Sequence, residues 1–223
     1  DVERSRGLGD VYKRQAAGYG NRMDDLTKNI PKPMLKINQK MLIDYAIEIA
    51  QKISHQRIFV NTHYQNQILE SYIKENYIDI FISHEPNILG TGGAIKKIQN
   101  DDLLILNTDN LWQETFINEI NEAINFFNQN INIENLLLVN SNGEKFDLEI
   151  NIENLINFPS DNYNTQFQGC HIIRNKTLTQ YPDIFNIQDY WINCSIEGKL
   201  YGYETVSVNP HVGTKELYLK NQY

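Results

Sequence analysis

The sequence predicts an α/β fold: a single three-layer domain with a mainly parallel, mixed central sheet. Two observations carry this. Short apolar runs such as "RIFVN" (57–61), "DIFIS" (79–83) and "DLLILN" (102–107) alternate with longer segments whose apolar residues recur at helical spacing, up to about residue 128. Strand, helix and strand in that order imply right-handed crossovers, and hence parallel strands covered by helices on both faces. The 223-residue chain is 41% hydrophobic and 22% charged, ordinary for a globular domain with a sizeable core.

Each element follows from its own pattern. "PMLKI" (33–37) is a short extended run, and "NQK" turns the chain. "MLIDYAIEIAQKI" (41–53) carries apolar residues at 41, 42, 43, 46, 47, 49, 50 and 53, which makes a broad buried helical face. "YQNQILESYIKEN" (64–76) is amphipathic through Ile68, Leu69, Tyr72 and Ile73. "GTGGAIKKI" (90–98) is a glycine turn opening into a helix, and "ETFINEINEAINFFNQN" (114–130) is helical again. The second half changes rhythm: "NLLLVN", "FDLEINIENLINF" and "FQGCHIIR" read as strands without intervening helices, a mixed extension of the sheet. "YPDIFNIQDYWINC" is a helix or a lid-like loop, "KLYGYETVSV" two short strands, and "GTKELYLKN" a closing helix.

The net charge of −8 argues against non-specific binding of nucleic acid, which calls for a basic patch. No apolar run approaches the ~18–20 residues of a membrane-spanning helix, so no membrane partner is expected. Cys170 and Cys194 show neither CxxC nor zinc-type spacing and read as buried thiols of a cytoplasmic protein. The five histidines (55, 63, 84, 171 and 211) form no HxH or HExxH pattern. Residues 1–15, "DVERSRGLGDVYKRQ", stand apart: they hold three of the six arginines and neither Asn nor Ile, whereas residues 16–223 hold 29 Asn and 30 Ile. They read as a foreign segment, with the domain proper spanning 16–223. "DVYKRQ" then stands where an apolar first strand is expected.

The chemistry concentrates in three places. In "AAGYGNRM" the small residues Ala16, Ala17, Gly18 and Gly20 bare backbone N–H groups beside Asn21 and Arg22. Pro31 and Pro33 fix the backbone on both sides of Lys32 and aim its ammonium. Bare amides, a guanidinium fork and a fixed ammonium suit a polyphosphate. "LGTGGA" places Gly90, Thr91, Gly92 and Gly93 where backbone passes close to a bulky ligand; the alternative is an ordinary strand-to-helix turn. In "NTDN" Asp109 ends an apolar strand, where it could bind a hard cation such as Mg²⁺ or cap a helix. The third glycine of GxGxxG and the GK[ST] of a Walker loop are both missing, so the dinucleotide and P-loop readings fail.

From residue 16 onward these motifs resemble the sugar-1-phosphate nucleotidyltransferases, whose signature runs roughly LAAGxGTRMxPLTxxxPKPLxxxxxxPLIxY. "AAGYGNRM…LTKNIPKPMLKINQKMLIDYAIE", "VNTHYQNQI", "EPNILGTGGAI", "LLILNTDNLW", "FQGCHII" and "HVGTKE" carry the likeness. In outline the chain is most similar to short mannose-1-phosphate guanylyltransferase-like enzymes and N-acetylmuramate-1-phosphate uridylyltransferases; "GTGGAIK" is also similar to heptose-1-phosphate guanylyltransferases.

The resemblance implies a Rossmann-like, GT-A-like fold and an enzyme of nucleotide-sugar biosynthesis, of the kind that serves cell envelope polysaccharide. Such an enzyme joins an NTP (GTP or UTP) to a sugar 1-phosphate with Mg²⁺ and releases pyrophosphate. It implies roles as well. The 17–22 loop cradles the triphosphate with Arg22 on the departing pyrophosphate, Lys32 bridges phosphates, and Asp109 holds Mg²⁺. The 90–93 turn meets base and ribose, and Gly169 lines the sugar pocket. Three positions depart from the pattern: Gln15 before the glycine loop, Asp24-Asp25 where a residue and proline are usual, and His211 where WxDVGT has a metal-binding aspartate. His211 leaves a second reading open, a catalytically silent NDP-sugar-binding homologue.

Overall fold

A computed structural model describes residues 10–14, 21–53, 57–99, 101–174 and 176–222. In chain order the elements are β1 (Asp10–Arg14), β2 (Lys36–Ile37), β3 (Lys40–Met41), α1 (Leu42–Lys52), β4 (Arg57–Thr62), α2 (Asn66–Asn76), β5 (Ile80–His84), α3 (Gly90–Ile98) and β6 (Leu103–Asn107). There follow α4 (Thr115–Gln129), β7 (Asn135–Asn140), β8 (Glu149–Ile150), β9 (Ile156–Asn157), β10 (Gln166–Ile173), α5 (Ile187–Ile196), β11 (Leu200–Glu204) and α6 (Lys215–Lys220). Tight 3₁₀ turns at Asn21–Thr27 and Lys32–Met34 precede β2.

Seven strands form one sheet in the order β11-β7-β10-β6-β1-β4-β5. The pairs β4–β5, β1–β4, β1–β6 and β7–β11 are parallel, and β10 runs antiparallel to both β6 and β7. The expected mixed, mainly parallel sheet is therefore present. Period-two alternation builds its layers. Leu104 and Leu106 of β6 and Leu136 and Leu138 of β7 pack against α1 and α4 through Ala46, Ala50, Phe116, Ile120 and Phe127. Leu103 and Ile105, with Leu137 and Val139, face the other way onto α3 and α5 through Ile95, Ile187, Tyr190 and Trp191.

One expectation changes. "KLYGYETVSV" forms one strand, β11: Thr205 N–H makes a last bond to Val139 O, and its hydroxyl bonds Val139 O and Ser207 O where the strand ends. Of the two readings of "YPDIFNIQDYWINC", the helix is present as α5, between β10 and β11. The polar "DVYKR" occupies the first-strand slot: β1 pairs in parallel with β4 on one side and β6 on the other. Cys170 and Cys194 are free and buried, and burial is the main cause that pushes the Cys194 thiol up to about 12.

The α1–α2 face holds a buried carboxylate with a structural task. Asp44 accepts hydrogen bonds from the hydroxyls of Tyr77 (2.7 Å) and Tyr72 (2.9 and 3.0 Å) and from the backbone N–H of Met41 (3.2 Å) at the start of α1. Burial first, and then this carboxylate, push the Tyr72 hydroxyl up to about 12. Asp44→Ala strands two tyrosine hydroxyls and one helix-start amide. The expected loss is about 2–4 kcal/mol of stability, read from urea unfolding, since hydrogen bonds to a charged group are worth ~1.5–3 kcal/mol each and do not add fully.

Candidate active site

Lys32 is aimed by its surroundings. Pro31, at φ −68° and ψ 144°, opens the 3₁₀ turn, and Met34 N and Leu35 N donate back to Pro31 O and Lys32 O. Pro33 is buried beneath it. The same stretch is fastened to the far end of the chain: Met23, Leu35, Ile37 and Leu42 share a buried cluster with Val212 and Tyr218, and Asp25 pairs with Lys215 at 2.5 Å. Asp24-Asp25, which departs from the family signature, thus gains a partner in α6.

Asp109 lies just past β6 between Thr108 and Asn110, all three nearly inaccessible. The segment 210–213 lies alongside in antiparallel fashion. Asn110 pairs with His211, Leu111 N donates to Pro210 O at 2.9 Å, and Val212 N donates to Asp109 O at 2.8 Å. Three groups of unrelated sequence position converge as a result. Lys32 Nζ stands 2.9 Å from Asp109 Oδ2 and 3.3 Å from Gly213 O, while His211 Nε2 stands 3.3 Å from the same Oδ2. Gly213 has no side chain because the His211 ring lies across it.

Burial alone would push the Asp109 carboxyl up. The Lys32 ammonium, and after it the His211 ring, outweigh that and hold it well below the usual carboxylate range. Its second oxygen, Oδ1, is buried with no hydrogen-bond partner among the described residues, a costly state for a carboxylate unless something else binds there.

Beside this cluster opens a cavity of about 310 Å³. Arg22, Asn107, Asp109 and His211 line one part; Asp147, Leu148, Phe158, Phe167, Gln188 and Trp191 line the rest. Phe158 and Phe167 meet Trp191 edge to face at 6.0 and 5.2 Å. Asp147 Oδ1 accepts from Phe167 N at 2.8 Å. Although solvent reaches Asp147, the surrounding protein is the largest influence on it and raises its carboxyl above the usual value.

Lys32, Asp109 and His211 come together, and Arg22 lines the same cavity as Asp109 and His211. Ala17, Gly18 and Gly20 lie outside the described residues, and Asn21 opens the first 3₁₀ turn. Two readings need correction. Thr91, Gly92 and Gly93 do not offer their polar groups to a ligand. The N–H groups of Gly92 and Gly93 donate to Phe185 O at 3.0 and 3.3 Å, and Thr91 Oγ1 accepts from Ile187 N at 2.9 Å. A Cβ on Gly92 would strike the Phe185 ring, so these glycines admit the segment leading into α5. Gly169, at φ +78°, faces the Asn110 side chain and is not among the residues that line the cavity; Phe167, two positions earlier, is. Sequence reasoning passed over Asp147, Phe158 and Trp191. Only the fold brings these to one wall, and the one local hint was a charged residue beside Leu148.

Sheet order, helical layers and the placing of the cluster at the carboxyl end of β6 define a GT-A-like α/β domain. The UDP-glucose pyrophosphorylase of Acinetobacter baumanii superposes with a TM-score of 0.77 at 17% identity, over 96% of this chain and 92% of that one. The sequence model described as Nucleotidyl transferase matches residues 16–146, more than half of the chain, and the chain belongs to that family.

Among curated relatives, the D-glycero-alpha-D-manno-heptose 1-phosphate guanylyltransferase of Campylobacter jejuni is 33% identical over 97 residues, 41% of this chain and 44% of that protein. The match thus spans under half of that relative's length. The N-acetylmuramate alpha-1-phosphate uridylyltransferase of Caulobacter vibrioides is 24% identical over 223 residues, 92% of each chain. No helix among the described residues is long and apolar enough to cross a membrane.

Proposed function

We propose that this protein is a sugar-1-phosphate nucleotidyltransferase of the cytoplasm, joining GTP or UTP to a sugar 1-phosphate for envelope polysaccharide synthesis. The observation that carries the reading is the Lys32–Asp109–His211 cluster at the mouth of an aromatic-walled cavity that also holds Arg22. An oxygen of the sugar phosphate attacks the α-phosphorus of the NTP. The new P–O bond forms as the bond to the bridging oxygen breaks, and pyrophosphate leaves. Such a transfer asks the protein for alignment and for charge to set against the phosphate oxygens. Lys32 and Arg22 supply that charge, with the 17–22 loop, including Ala17, Gly18, Gly20 and Asn21, around the triphosphate and Gly90 near the base. Residues 1–15 we take as foreign in origin, with residues 10–14 filling the first-strand slot as β1; the family match begins at residue 16.

A divalent cation such as Mg²⁺ fits here, because the unpartnered Asp109 Oδ1 offers a buried anionic donor. Asp109 and His211 would hold it, and phosphate oxygens would complete its shell, as is usual for Mg²⁺. When bound, it supplies positive charge to the reacting phosphates. Among the described residues no third His, Cys, Asp or Glu joins Asp109 and His211, so an imidazole stands where a second carboxylate would bind a hard cation better. His211→Asp is expected to lower the Mg²⁺ concentration for half-maximal rate several-fold and to reduce any preference for Mn²⁺, checked by metal titration of the initial rate.

The test of the whole reading is pyrophosphate release from each NTP against a panel of sugar 1-phosphates. Release with one NTP and one sugar class is the expected result. Binding of NDP-sugars with no release from any pair points instead to the silent homologue.

A further inference from the structure

We propose that the cavity selects neutral polyhydroxy sugar 1-phosphates and rejects sugars carrying a carboxylate, and that Asp147 makes the selection. The inference rests on the nucleotidyltransferase reading of the same site. It adds the chemical class of the sugar, which the relatives leave open: they are named for a neutral heptose phosphate and for the acidic N-acetylmuramate phosphate.

The cavity has two chemically distinct parts. Arg22, together with Lys32 and His211 around Asp109, suits phosphate. The remaining wall is aromatic and aliphatic, from Phe158, Phe167, Trp191 and Leu148, and carries two polar side chains, Asp147 and Gln188. At about 310 Å³ the space lies at the small end of the ~300–1,000 Å³ typical of ligand pockets, which fits one sugar ring and its phosphate. The weakly positive C–H edge of a pyranose lies well against the negative faces of aromatic rings.

Asp147 is held in place. Its Oδ1 accepts from Phe167 N on β10, and its own N–H donates to Thr165 O at 3.1 Å. The carboxylate remains exposed to solvent, and the residue lines the cavity. An ionised carboxylate can only accept, so it calls for a hydroxyl donor. Gln188 both donates and accepts and does not alter that preference. A sugar carboxylate brought against Asp147 meets like charge, a penalty on the order of 10²–10³ in affinity at contact distance in a partly screened site. A hydroxyl donating to the carboxylate gains about tenfold or more.

The experiment compares NDP-sugars that differ by one group. UDP-glucose and UDP-glucuronate, and GDP-mannose and GDP-mannuronate, are titrated by calorimetry into the wild type, Asp147→Asn and Asp147→Ala. Asparagine keeps the oxygen that Phe167 N requires, and the alanine variant is a second route should asparagine rearrange.

The wild type is expected to bind the neutral member of the better pair at least about 100-fold more tightly. Both variants are expected to shrink that ratio below about tenfold, while affinity for the free NTP stays within about twofold. Equal affinity of the wild type for neutral and acidic members overturns the proposal, as does a ratio unchanged in both variants. Selective binding without pyrophosphate release leaves the sugar assignment standing and sinks the catalytic reading. Release with an acidic sugar 1-phosphate as good as with its neutral counterpart does the reverse. Binding of no NDP-sugar at all overturns both.

Discussion

Lys32→Ala is expected to slow pyrophosphate release by about 10²–10³, the usual effect of deleting one group that meets developing charge in a transition state. The same change is also expected to weaken the fold. Asp109 is buried, with Lys32 at 2.9 Å; without it the carboxylate keeps, among the ion-pair partners of the described residues, the His211 ring at 3.3 Å. Removing one partner of a buried ion pair commonly costs ~3–5 kcal/mol because the other charge is left uncompensated. The two effects separate in a double variant. Lys32→Ala with Asp109→Asn removes both charges and should regain most of the lost stability in urea unfolding, yet remain inactive. If the double variant regains activity together with stability, Lys32 serves only to neutralise Asp109.

Asp109→Asn alone is expected to be the more damaging change to turnover, about 10³-fold or more, since several kcal/mol of metal-borne charge stabilisation goes with the carboxylate. It is also expected to cost stability, since the Lys32 ammonium loses its counter-charge, though less than Lys32→Ala does, because Lys32 is the more exposed partner. The amide oxygen still accepts from Lys32, and the buried, unpartnered Oδ1 ceases to be an anion held away from water. Paramagnetic broadening of nearby resonances by Mn²⁺ gives a readout independent of turnover: present in the wild type, absent in Asp109→Asn. Broadening that persists around residues 109–112 would move the cation site elsewhere. Once Asp109 is lost, Lys32→Ala should add little further loss of rate, as expected of residues that act as a unit.

Much of the fold was legible because apolar period decides it. The runs that became β4, β5, β6 and β7 and the helices α1, α2 and α4 were all readable as written, since burial on one or two faces fixes their spacing. Lys32 and Asp109 were legible for a local reason, a side chain fixed by flanking prolines and a carboxylate at the end of an apolar strand.

What sequence could not convey is partnership at a distance. Gly92 announces that something passes close to the backbone, but not that it is Phe185, more than ninety residues later. Asp147 sits in "FDLEI", which reads as an ordinary alternating strand, and only its bond to Phe167 N on β10 turns it toward a cavity function. β1 is the opposite case. "DVYKR" has little of the apolar character of its neighbour "LLILN", yet it pairs on both sides, because a backbone ladder uses main-chain groups that each of its residues carries.

The short antiparallel contact between Asn110 and His211 also has a bearing on synthesis. Lys32 precedes Asp109 by 77 residues, and His211 and Gly213 come much later still, so the cluster stays incomplete until a long stretch of chain has been made. A prematurely terminated product could raise most of the sheet and still lack the imidazole and the carbonyl that accepts from Lys32.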